Sequence, residues 1–292
     1  MIAFEKYKPA FDRDGFVIVR QFLTATDLTE VCDNLDRYIR DVVPGLPDAY
    51  AFYQDRSQPE TLKQIQQMTA DAFFRDYVHL PAWKGLSEAL LGEEARCDSP
   101  TWFNKPPQME HPTPPHQDNY YFKLDPPLVL TIWLAIDPID LENGCLRYLP
   151  GSHLEGSRPH APSDVLGFSQ GISDYGPADE AREVPIELAP GDAVVHHGWL
   201  IHRADPNRSL TRHRRGFALV YKSLRCQPDA ELLVQHAADL KAQHAKMGLK
   251  PNSKTTTTGP ANSPDSESTS TNPSPPSFPS TTIRRLTCNG ET

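Results

Sequence analysis

Along the first third of the chain, apolar positions recur with a helical period. Leu28, Val31, Cys32, Leu35, Tyr38 and Ile39 fall three and four residues apart, which would bury one face of a helix reaching about Val43, with Thr24 or Thr26 as its cap. Shorter helices are predicted at Phe4 to Asp12, Pro59 to Asp71 and Pro81 to Leu91, and the β-branched run Gly15 to Arg20 reads as a strand. From Arg96 the period changes. Short apolar runs between Pro, Gly and Asn follow at Thr101 to Asn104, Leu128 to Ala135, Cys145 to Leu149, Val184 to Leu188, Ala193 to Val195 and Gly216 to Tyr221. Such a series predicts an antiparallel sandwich or jelly roll. Helices followed by strands give an α+β class, with the helices packed on one sheet and a last helix at about Ala230 to Met247 closing the domain.

The pattern then stops. Between residues 251 and 292, 18 of 42 positions are Ser or Thr and seven are Pro, with Phe278, Ile283 and Leu286 the only large apolar residues, too few to offset the entropy of ordering the segment. We therefore expect one folded domain over residues 1–250 and a disordered tail over 251–292. With 29 Lys and Arg against 38 Asp and Glu, the net charge of −9 repels polyanions, so nucleic acid is not an expected partner. No apolar run is long enough to span a bilayer, and the N-terminus carries no secretory pattern, so no membrane partner is expected either. The five cysteines, Cys32, Cys97, Cys145, Cys226 and Cys288, are odd in number and never form C-x-x-C, which fits a reducing cytoplasm.

Three segments carry candidate chemistry. His116-Gln117-Asp118 follows a Pro-rich turn, and on an extended strand His116 and Asp118 would project to one face and reach one ion. After Gly191-Asp192, the run Val194 to His202 supplies further histidines, and His202 with His116 and Asp118 makes the two-histidine, one-carboxylate set that holds non-haem Fe(II) and leaves positions for a chelating cosubstrate and O2. His196 and His197 compete with His202 for the third place. The third segment is Arg212-His-Arg-Arg215, where a planar guanidinium could grip a carboxylate with two parallel hydrogen bonds. Strand alternation puts Arg214 on the face of the small residues Gly216 and Ala218, so Arg214 is preferred, with Arg212 and Arg215 as alternatives.

His116-Gln-Asp118, Leu141-Glu-Asn-Gly-Cys-Leu-Arg-Tyr-Leu-Pro-Gly-Ser-His153, and Gly191-Asp192 through His202, Asn207, Ser209 and Arg214 together resemble the phytanoyl-CoA dioxygenase family. The resemblance runs from about Phe11 to Tyr221. It implies a double-stranded β-helix, a cupin-like jelly roll, and an Fe(II)- and 2-oxoglutarate-dependent oxygenase releasing succinate and CO2. Carried over by position, it makes His116, Asp118 and His202 the iron ligands and Arg214 the clamp on the far carboxylate of 2-oxoglutarate, with Trp133 beside the cosubstrate. Thr101 and Gln64 stand near positions that are Met and Lys in some members and touch 2-oxoglutarate there, with Lys63 and Lys105 as other sources of charge, and Gln117, between two ligands, is a further expected cosubstrate contact. His202 to Arg214 spans twelve positions where many members have eleven, and residue 204 is Ala where Ser is frequent. Iron halogenases replace the ligand carboxylate by a small residue; Asp118 points to hydroxylation instead.

The expected substrate is a small organic molecule, and the expected state a monomer or weak homo-oligomer. Tyr120 to Phe122 and Trp199 suit an apolar or ring-containing group, while the acidic stretch Gly156 to Glu183 offers little to the phosphates of a CoA ester. Two alternatives stand beside this reading: a cupin-like isomerase or hydrolase using the same triad without 2-oxoglutarate, and a non-catalytic binding protein that keeps the barrel.

Overall fold

The computed structural model describes residues 4–47, 50–163, 170–229 and 233–234. The expected helix over 230–247 and the tail over 251–292 lie outside the described residues, apart from 233–234. In chain order the elements are α1 (Lys8–Asp14), β1 (Phe16–Val19), α2 (Ala25–Asp41), β2 (Ala51–Tyr53), β3 (Leu62–Ile65), α3 (Ala72–Tyr77), α4 (Pro81–Leu91), β4 (Ala95–Lys105) and β5 (Thr113–His116). They continue with α5 (Asp118–Phe122), β6 (Leu124–Asp125), β7 (Val129–Ala135), β8 (Leu146–Tyr148), β9 (His160–Pro162), β10 (Gln170–Ile172) and α6 (Pro177–Glu180). The last are β11 (Val184–Ile186), β12 (Ala193–His197), β13 (His202–Ala204), β14 (Arg214–Ser223) and β15 (Gln227–Pro228).

Two main antiparallel sheets build the domain, with the two-stranded pairs β9-β10 and β6-β15 beside them. The larger has the order β1-β12-β7-β14-β4-β3-β2 and the smaller β11-β8-β13-β5. Alternation along each strand divides the large sheet into two faces. Leu130, Ile132 and Leu134 of β7 and Phe217, Leu219 and Tyr221 of β14 meet the helices, where Leu35, Tyr38, Phe74, Trp83 and Leu86 are buried against them. Each such side chain withdrawn from water contributes roughly 1.5–3 kcal/mol. The other face, carrying Trp133, Ala135, Val194 and Ala218, packs on Leu146, Tyr148, Ile186 and Ala204 of the small sheet. This is the expected jelly roll, with helices on one sheet.

Thr24 caps α2: its hydroxyl accepts from the Asp27 amide while the Asp27 carboxylate accepts from the Thr24 amide, a closed capping box. Helix α4 occupies Pro81–Leu91 as predicted. The stretch Pro59 to Asp71 does not form the expected helix. Leu62, Ile65 and Met68 are buried, but Leu62–Ile65 is strand β3, paired with β2 and β4, between single turns at Pro59–Thr61 and Met68–Ala70. Three-residue spacing alone does not separate the two outcomes, and the hydrogen bonds to β4 decide for the strand. Helix α3 and strand β2 were not foreseen.

Candidate metal centre and cosubstrate pocket

The pairing of β5 with β13 sets His116 directly opposite His202, with ring centroids 4.1 Å apart. His116 Nδ1 lies 2.8 Å from the Pro114 carbonyl and His202 Nδ1 lies 3.0 Å from that of Leu200. A carbonyl only accepts, so each Nδ1 carries the proton and each Nε2 keeps its lone pair for a metal. Burial first, and then the neighbouring His116, push the His202 imidazole well below its ordinary range, so it stays neutral as a ligand must.

Asp118 arrives by a different route from the one expected. It is not on the strand with His116 but is the first residue of α5, and the turn places it where strand alternation was to have done. The adjacent amide of Asn119 donates to the Gly198 carbonyl at 2.8 Å, tying this turn to the connection between β12 and β13. Asp118 Oδ1 lies 3.6 Å from His116 Nε2 and 3.6 Å from His202 Nε2. Burial works against its charge, but His202, His116 and His196 outweigh burial and hold the carboxyl well below the usual carboxylate range. Donor atoms of His116, Asp118 and His202 all lie within 4.8 Å of one another, and this is the one such group among the described residues. An anionic oxygen with two neutral imidazole nitrogens suits a divalent first-row metal.

The competing histidines fall elsewhere. His197 is on the helix side near Phe11 and His153, and its Nδ1 accepts from the Trp199 amide at 3.1 Å. His196 faces inward, but its Nε2 lies 3.1 Å from Asp118 Oδ2, and its other nitrogen meets the Tyr148 hydroxyl at 2.7 Å.

The three residues line a cavity of about 310 Å³ whose other end is basic. Arg214 and Lys105 are register partners across β14 and β4. Arg214 is 4% exposed, has no carboxylate within ion-pair distance among the described residues, and leaves its Nε without a hydrogen-bond partner. Burial lowers its pKa to about 10, so it remains a cation at neutral pH. Lys105 instead donates to the Asp205 carbonyl at 2.6 Å, and burial, then Arg214, depress it well below the ordinary lysine. The alternative anchors are occupied: Arg212 pairs with Asp140 at 2.7 Å and with Glu142, and Arg215 pairs with Asp137 at 2.7 Å.

Trp133 lies beneath Arg214, the guanidinium carbon 5.3 Å from the indole centroid. A Cβ on Gly216 would stand 2.3 Å from Trp133 Cη2, so the indole can lie over β14 only because residue 216 has no side chain. Thr101, Gln64 and Lys63 also line the cavity. Gln117 does not. It is fully buried, its amide donates to the Gly156 and Trp199 carbonyls at 2.8 Å each, and its oxygen accepts from the Arg158 amide at 2.9 Å. Gln117 therefore joins three loops, which corrects the expectation that it binds the cosubstrate.

Thr131 was missed by sequence reasoning. Its hydroxyl donates to Asp118 Oδ2 at 2.6 Å. Its two-residue spacing from Trp133, on the same face of β7, was the available signal.

A model of the phytanoyl-CoA dioxygenase family matches residues 11–216, the span that contains the triad and Arg214. The chain belongs to the phytanoyl-CoA dioxygenase family. As a member it is an Fe(II)- and 2-oxoglutarate-dependent oxygenase. Phytanoyl-CoA dioxygenase 1 of Oryza sativa subsp. japonica is 37% identical over 238 residues, covering 70% of this chain and 84% of the rice protein. The peroxisomal phytanoyl-CoA dioxygenase of Mus musculus is 28% identical over 231 residues, covering 74% and 68%. EvdO2 of Micromonospora carbonacea var. aurantiaca, solved with 2-oxoglutarate, superposes with a TM-score of 0.60 at 27% identity, covering 77% and 92%. The epimerase SnoN, solved with Fe3+ and α-ketoglutarate, shares the fold at 22% identity and a TM-score of 0.63, covering 79% and 89%. Among the described residues no helix is long and apolar enough to cross a membrane.

Proposed function

We propose that this dioxygenase hydroxylates a small organic substrate, with His116, Asp118 and His202 as the iron ligands and Arg214 as the anchor for the far carboxylate of 2-oxoglutarate. The observation that carries the assignment is Arg214: a buried guanidinium without a carboxylate partner among the described residues, at one end of a cavity that has the triad in its wall. Isolating such a charge costs several kcal/mol unless an anion arrives to pair with it. When bound, iron and 2-oxoglutarate supply O2 activation coupled to decarboxylation and to oxidation of a substrate C–H bond. The chain's own residues do the rest. Arg214 orients the dicarboxylate, Trp133 and Gly216 shape the slot for it, and Thr101 and Gln64 flank it.

Away from Arg214 the cavity is lined by Tyr121, Phe122 and Val220, which supports an apolar or ring-containing substrate group. A CoA ester would need free basic side chains for its phosphates. Arg158 is held by Asp179 at 2.8 Å and Arg182 by Glu155 at 3.1 Å, so we favour a small molecule over an acyl-CoA. A folded unit over residues 1–250, a monomeric or weakly associated state and a cytoplasmic site complete the proposal. The four described cysteines are unpaired, as a reducing compartment requires, and punctate fluorescence from a tagged full-length protein would overturn the cytoplasmic assignment.

The deciding experiment mixes anaerobic apoprotein with Fe(II) and 2-oxoglutarate and looks for the weak visible charge-transfer band of the chelate. The band is expected in the wild type and absent from Asp118→Ala. No band in the wild type, or a persistent band in the variant, overturns the assignment. Succinate release stimulated by candidate metabolites, with an acyl-CoA among them, then identifies the substrate class.

A further inference from the structure

We propose that Thr131, His196 and Tyr148 are positioning residues that restrict Asp118 to one metal-binding oxygen. The inference rests on the reading of His116, Asp118 and His202 as ligands. It concerns the carboxylate oxygen turned away from them.

An ionised carboxylate has two oxygens, and either one or both can bind a metal. In Asp118 the two face different surroundings. Oδ1 looks toward His116 and His202, at 3.6 Å from each Nε2. Oδ2 accepts the Thr131 hydroxyl at 2.6 Å and lies 3.1 Å from His196 Nε2. Because a carboxylate only accepts, His196 Nε2 must carry its proton, which in the neutral ring makes Nδ1 the acceptor. Nδ1 meets the Tyr148 hydroxyl at 2.7 Å, so the tyrosine O–H donates and fixes that tautomer.

The scaffold supports the network from both sheets. Thr131 and His196 are register partners across β7 and β12, which brings both donors to one oxygen. Tyr148 comes from the facing sheet, where it is the register partner of His202. Tyr148 is fully buried, and His196 is 2% exposed. The Tyr148–His196 bond is buried from solvent. With Oδ2 holding two donors, only Oδ1 is left for an ion, and the position a second oxygen would take stays open. Removing the Thr131 hydroxyl frees Oδ2 to turn inward. Removing the Tyr148 hydroxyl lets His196 change tautomer and present a lone pair to Oδ2.

The test uses full-length apoprotein, with anaerobic Fe(II) for affinity and Co(II) for its ligand-field spectrum, in Thr131→Val, Thr131→Ser, Tyr148→Phe and Asp118→Ala. Partners behind a metal ligand typically change affinity about 10- to 100-fold. Thr131→Val and Tyr148→Phe are each expected to weaken Fe(II) binding by about that factor and to alter the Co(II) spectrum, while Thr131→Ser restores both. A purely structural role would lower melting temperature without moving the spectrum, or would not be rescued by serine; either result overturns the proposal. Wild-type affinity and spectrum in Thr131→Val and Tyr148→Phe also overturn it, and if Thr131→Val does not fold, Tyr148→Phe decides alone. Wild-type metal affinity in Asp118→Ala would instead refute the ligand assignment itself.

Discussion

A guanidinium excluded from water and left without an anion weakens the fold that holds it. Arg214 is in that condition, whereas its neighbours Arg212 and Arg215 have carboxylates. Two effects of one substitution should therefore oppose each other. Arg214→Met keeps the apolar stem, removes the isolated charge and should raise the melting temperature of the apoprotein. Hydrogen bonds to a charged group contribute about 1.5–3 kcal/mol, so the same variant should lose about 10- to 100-fold in 2-oxoglutarate affinity per bond broken. Melting curves of metal-loaded protein with and without 2-oxoglutarate read both effects, and a variant still stabilised by the cosubstrate as strongly as the wild type would remove Arg214 from the site. This residue was legible in the sequence because strand alternation is local: two positions from Gly216, it had to share that face. Gln117 was not, since its partners lie 39 and 82 residues away. The same holds for Thr131 and His196, whose relation depends on register between distant strands.

Strands β4, β7 and β14 give the site a graded floor. Reading inward positions along β14, Arg214, Gly216, Ala218 and Val220 run from the charged end of the cavity to the apolar one. The middle must stay small. Gly216→Ala would force a methyl to within 2.3 Å of the Trp133 ring, and the ring has to move toward the space assigned to the cosubstrate. A raised KM for 2-oxoglutarate with Fe(II) affinity unchanged is the expected outcome; unchanged KM would place the cosubstrate away from Trp133. Helix α2 makes the complementary case, since it packs on the other face of the large sheet. Thr24→Ala opens its capping box and should cost about 1 kcal/mol of stability in urea titration, with metal and cosubstrate affinities unaltered. Elements with a clean period, α2, α4 and β7, were legible from the sequence. β3 was not, because Leu62, Ile65 and Met68 fit a helix as well as a strand, and its partner β4 lies more than thirty residues on. Asp118 shows a milder failure: it does lie beside His116 and His202, but a helical turn presents it where a strand was expected.

At the scale of the whole molecule, every residue lining the main cavity falls between Lys63 and Val220. Removal of residues 251–292 is accordingly expected to leave the chelate band and succinate release unchanged, and a large loss of either would give the tail a part in the site. Acid stability follows from how the fold treats histidines outside the metal centre. Burial lowers His197 to about 4 and His160 to about 4, against an ordinary value of 6.5. Between those limits the unfolded chain binds protons that the folded chain does not, so stability is complete above pH 6.5 and falls as pH drops toward 4. A fully buried group contributes a slope of about 1.4 kcal/mol per pH unit, and partial exposure makes this an upper bound for each ring. Net charge acts in the opposite sense, because a chain at −9 repels itself less as it approaches its pI of about 5.6. At 0.15 M salt, screening over about 8 Å weakens that repulsion far more than it weakens the local cost of burying a charged imidazole. Urea midpoints of the apoprotein should hence be level from pH 8 to 7 and decline from 6.5 to 4.5, whereas midpoints that stay level or rise on acidification would show that these histidines take up protons in the folded state.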